Sequence, residues 1–113
     1  MATAPKPGAR KREEAKRATL RIALKGETRE LHMSDLGPGD DRVSRAQTGF
    51  PVMPYFNGER FGADSILVLW WMARRKSGEP DLRYAEVEAE FPSYDDLEGV
   101  EIEEVSEEPS PEG

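Results

Sequence analysis

The chain contains no cysteine and a single histidine. The first absence excludes disulfides, thiolate metal sites and a cysteine nucleophile. With only His32 available, an ordinary zinc site cannot be assembled either. No phosphate-binding glycine loop is present: Gly37-Pro38-Gly39 lacks the preceding strand, the lysine and the Ser/Thr of a P-loop. Ser34, Ser44, Ser65 and Ser77 lie in no nucleophile-elbow motif. The pairs Asp40-Asp41 and Asp95-Asp96 lack the glycine and glutamate spacing of an EF-hand loop. They read as a helix cap and as a solvated segment. These absences point to a non-enzymatic protein without metal or cofactor.

Apolar residues are also scarce, at 36% of 113 residues, while 35% are charged. Such a chain supports one small domain with a small core. No apolar stretch reaches the ~20 residues that a membrane-spanning helix needs. No apolar segment follows the N-terminal cations as in a signal peptide. The reading is a soluble protein of the cytoplasm.

The net charge of −7 is unevenly placed. Residues 1–18 hold six cations (Lys6, Arg10, Lys11, Arg12, Lys16 and Arg17) and two anions. Residues 95–113 hold nine anions and no cation. Charge blocks of this kind are usually solvated, so the expected organisation is a basic disordered arm over 1–18, an α+β core over 19–94 and an acidic disordered tail over 95–113.

Within the core, Leu20, Ile22 and Leu24 alternate, and Leu31 and Met33 share a face after Lys25-Gly26. Two alternating runs around a short glycine-containing turn predict a β-hairpin. Asp40 is placed to cap a short helix over 41–48 that ends at Gly49. Phe50 to Phe56, with Pro51 and Pro54, reads as a loop pinned by its aromatic rings. Tyr84, Val87 and Phe91 at i, i+3 and i+7 predict a short amphipathic helix over 84–90, stopped by Pro92.

The strongest signal is Ile66-Leu67-Val68-Leu69-Trp70-Trp71-Met72-Ala73, eight apolar residues in a row with both tryptophans adjacent. Arg74, Arg75 and Lys76 follow, then Gly78, which suits a helix C-terminus. Neighbouring residues on a helix point ~100° apart, so Trp70 and Trp71 cannot share one narrow seam. Either the rest of the domain wraps this helix completely, or one flank stays free as an interface. The expected core is Leu20, Ile22, Leu24, Leu31, Val43, Phe50, Ile66, Leu67, Leu69, Trp70, Ala73, Tyr84 and Val87. The expected partner-binding flank is Val68, Trp71 and Met72 beside Phe56 and Phe61.

This order of elements resembles the tail assembly chaperones of long-tailed bacteriophages, in particular those of phages infecting actinobacteria. The likeness rests on the hairpin over 20–33, the short helix ending in Gln47-Thr48-Gly49, the helix Ile66 to Arg75 followed by Gly78-Glu79-Pro80, and the segment Leu82-Arg83-Tyr84-Ala85-Glu86-Val87. It covers residues 19–94. The elements together predict a small α+β domain with an N-terminal β-hairpin packed on a central apolar helix, two short helices and charged tails. The resemblance implies a chaperone that binds the tape measure protein and keeps it soluble while the tail tube assembles in the host cytoplasm, and that is absent from the finished virion. The tail tube protein and a longer, frameshifted form of the same chain are further implied partners. No membrane is implied, and a homo-oligomer is left open. Two alternatives belong to other classes. One is a nucleic-acid-associated regulator using the arm Lys6–Arg17, although no aromatic residue is interleaved there for base stacking. The other is a structural tail or connector protein.

Overall fold

The computed structural model describes residues 19–105. The expectations for residues 1–18 and for 106–113 lie outside them. The described chain forms a three-stranded antiparallel sheet with four α-helices, an α+β fold, in which Thr19–Leu24 (β1) lies between Glu27–His32 (β2) and Glu101–Val105 (β3). Strands β1 (Thr19–Leu24) and β2 (Glu27–His32) make the expected hairpin. Its two-residue turn needs positive φ twice, and Lys25 and Gly26 supply it at 54° and 80°. Leu20, Ile22 and Leu24 are buried on the inner face, with Leu31 opposite Leu20. Each such side chain contributes about 1.5–3 kcal/mol by leaving water.

Helix α1 (Pro38–Thr48) begins earlier than expected. Pro38 fits the first turn, where its missing N–H costs nothing. Asp40 lies in that turn rather than at the cap, and accepts the Gly37 N–H at 2.9 Å. Gly49 closes the helix at φ 90°. The next stretch departs from the expected loop: Met53–Phe56 is a single helical turn, α2. Pro54 is tolerated because it too lies in a first turn. Asp41 accepts the Val52 N–H at 2.9 Å, and Ser44 donates to the Phe50 carbonyl at 2.7 Å, so α1 fixes the approach to α2.

The central helix α3 runs Ala63–Lys76, and α4 spans Tyr84–Glu90 as the spacing predicts. Helix α3 lies under β2 and between α2 and α4. Residues Leu67 to Ala73 are all buried, so of the two readings of this helix the complete wrap is the one found. Three expected core residues are less enclosed. Val43 and Ile66 are half-buried, and Phe50 is 40% exposed, because α1 packs mainly through Ser44 and the Phe50 ring lies under the Arg60 guanidinium.

The acidic segment also needs correction. Residues 94–97 form a 3-10 turn and Glu101–Val105 form β3, which pairs with β1. Three features hold this segment. Ser93 Oγ accepts the Asp95 N–H at 3.1 Å, Leu97 is buried, and Lys25 reaches Asp96 at 3.2 Å. The Ser93 backbone N–H and then Lys25 hold the Asp96 carboxyl below its usual range. On the outer sheet face Arg21 lies between Glu30 (3.1 Å) and Glu103 (3.6 Å), so alternating charge links all three strands.

Candidate functional site: an open groove beside the edge strand

The sequence-expected flank is not a surface. Val68, Trp71 and Met72 are fully buried and Phe56 is 8% exposed. Trp71 is covered by the Tyr84 ring, with centroids 5.3 Å apart in an edge contact, and by the Leu82 backbone. The wrapping comes from α4 and the extended residues before it. Of the five expected contact residues only Phe61 is open, at 84% exposure.

Phe61 instead stands at the rim of a groove of about 680 Å³. This lies within the ~300–1,000 Å³ usual for binding clefts. Its sides come from elements distant in sequence. Leu20 of β1 and Ile102 and Glu104 of β3 supply the sheet side, because the register sets Leu20 opposite Glu104 on one face. Met33 enters from the turn after β2. Met53, Tyr55 and Phe56 come from α2, and Ser65 and Leu69 from α3. Asn57 and Gly58 close the turn between α2 and Phe61. Two of the lining side chains are methionines, whose unbranched thioethers adapt to irregular apolar partners.

The surface that the groove exposes is at least as polar as it is apolar, with Tyr55, Asn57, Ser65 and Glu104 among its lining. Glu104 is the charged lining residue. Ser65 is 1% exposed, and its Oγ has no hydrogen-bond partner among the described residues. A buried hydroxyl left without a partner costs free energy. The Tyr55 hydroxyl donates to Asp64 at 3.3 Å. Arg60, next to Phe61 in sequence, is held on the Phe50 ring at 3.6 Å to the centroid.

Sequence reasoning found Phe61 and Phe56 but missed Met33, Met53, Ser65, Ile102 and Glu104. The groove depends on β3, and an acidic segment with isolated apolar residues gave little sign of a strand. The alternation of Val100 and Ile102 was the available signal.

Elsewhere, His32 Nδ1 lies 3.0 Å from Thr19 Oγ1 and its Nε2 lies 3.4 Å from Glu30. Both partners belong to the sheet, so the geometry gives His32 a bracing role. Among the described residues no cluster of His, Cys, Asp and Glu is arranged to hold a metal ion. No described helix is long and apolar enough to cross a membrane. No protein-family model, curated protein or solved structure matches the chain.

Proposed function

We propose that this protein is a non-enzymatic tail assembly chaperone of a long-tailed bacteriophage. It binds the tape measure protein through the groove beside β3 and keeps it soluble while tail tube subunits assemble around it. The work takes place in the host cytoplasm, and the protein is absent from the mature virion. The tail tube protein and a longer, frameshifted form of the chain are the further partners.

The observation that carries the binding surface is an open groove of mixed polar and apolar lining, with Phe61 84% exposed at its rim. An exposed aromatic residue beside an open cleft with methionines in its wall supports a protein-binding surface, since both residue types are enriched at interfaces. The element order over residues 19–94 carries the choice of partner. A holdase also needs charge to stay soluble while an apolar partner is bound, and the net charge of −7 meets that need. The site replaces the Trp71 flank, whose residues are committed to the core.

Co-expression with the tape measure protein of the same genome tests this reading. The tape measure protein is expected to become soluble and to co-purify in high salt. Its remaining insoluble, with this protein folded and the longer form also supplied, would remove the proposal. The nucleic-acid alternative rests on Lys6–Arg17, which lie outside the described residues.

A further inference from the structure

Strand β3 gives the groove a sign. Three of its five residues are glutamates, and among the described residues it is an edge strand with one side unpaired by the sheet. Glu103 is matched by Arg21 at 3.6 Å. Glu101 and Glu104 have no ion-pair partner among the described residues, and Glu104 lines the groove itself. Asn57 and Gly58, also in the lining, are followed by Glu59, which is exposed. The nearest cation in sequence, Arg60, is engaged with Phe50 and Tyr55. Among the described residues, negative charge therefore borders the groove without a paired cation.

We infer that the groove selects partner segments whose apolar side chains are flanked by lysine or arginine, and rejects acidic ones. The inference rests on the groove being the partner site, and adds the chemistry of the segment that enters it.

Two physical points argue for a cationic partner over a second copy of this chain. Pairing two β3 strands would set glutamates against glutamates, and charged edges of this kind block self-association. A cationic segment gains what a second copy loses, because complementary rim charge speeds encounter and suppresses wrong partners. Apolar contact with Met33, Met53 and Phe61 supplies affinity, and Glu104 and Glu101 supply discrimination.

The test uses the full chain and two synthetic peptides with leucine and phenylalanine at the same positions, one bearing lysines where the other bears glutamates. Fluorescence titration at low salt is expected to show the lysine peptide binding tighter by about fivefold or more. The advantage shrinks as salt rises, as screening requires. Glu104→Lys is expected to abolish the preference, while Glu88→Lys, an equal charge change on the exposed face of α4, leaves it in place. Circular dichroism on both variants confirms that they fold. Equal binding of the two peptides, or equal effects of the two substitutions, overturns the charge selectivity. If Phe61→Ala also leaves the binding of both peptides unchanged, the groove itself is excluded as the site. If Phe61→Ala weakens both alike while the charges prove irrelevant, the groove stands and only its selectivity falls.

Discussion

Trp71 donates its indole N–H to the carbonyl of Leu82 at 2.8 Å. This bond lets a large amphipathic side chain be fully buried, since the one polar atom of the ring is satisfied. It also ties α3 to the extended residues that lead into α4. Arg75 reaches the same carbonyl at 3.3 Å, so Leu82 is held from two successive turns of α3.

Trp71→Ala is expected to cost about 3–5 kcal/mol, the range for removing a buried aromatic ring. That is a large share of the ~5–15 kcal/mol available to a small domain. Trp71→Phe keeps most of the volume, and Arg75 still serves the Leu82 carbonyl, so about 1–2 kcal/mol is expected. Urea denaturation of the two variants checks the order.

The acidic strand is a structural element, and truncation separates it from the residues that follow. A chain ended after Glu98 loses β3 and uncovers the β1 edge beside Leu20 and Ile22. It is expected to melt well below the full chain and to self-associate through the freed edge. A chain ended after Val105 is expected to match the full chain. Thermal melting and gel filtration of both distinguish the outcomes.

Tyr84 gives an alkaline prediction. Burial, with a smaller contribution from Glu88, pushes its hydroxyl up to about 12. A folded value raised above the unfolded value of ~10 favours the protonated, folded form. The associated stability is complete below pH ~10 and is lost as pH rises through about 12. Tyr84→Phe is expected to flatten the stability profile between those limits. Denaturation across the alkaline range checks it.

Glu79 gives the acid counterpart. The Arg74 guanidinium, bonded to it at 2.9 Å, holds its carboxyl below the usual range. A lowered folded value means that the contribution is present at neutral pH. It is lost as pH falls from the unfolded value of ~4.3 through the folded one. Glu79 is partly exposed, so solvent screening limits the whole effect to roughly 0.5–1 kcal/mol. Glu79→Gln is expected to remove that amount at pH 7 and to leave stability unchanged in strong acid.

Where the chain encodes local periodicity, the fold was legible. The β1–β2 hairpin follows from alternation around Lys25-Gly26, and the bounds of α4 follow from Tyr84, Val87 and Pro92. The apolar block and its cationic end locate α3, but they do not tell which side is covered. That depends on α4, α2 and the sheet arriving from elsewhere in the chain. Strand β3 was not legible because its stability is non-local: Ile102 gains from Ile22 and Glu103 from Arg21. Alone, those residues read as solvated charge. The groove was hidden for the same reason, since three of its sides come from β3, α2 and the turn after β2. Phe61 is expected only as a neighbour of the α3 flank, and it alone of that set is open to solvent.

The most direct test of the account is recovery of the tape measure protein by the wild-type chain and by Phe61→Ala, co-expressed and purified side by side. Phe61 is 84% exposed, so its loss is expected to leave the fold and melting temperature unchanged. The account predicts that recovery falls several-fold in the variant and persists in high salt for the wild type. Equal recovery by the two proteins, both folded, would contradict the groove as the proposed binding site.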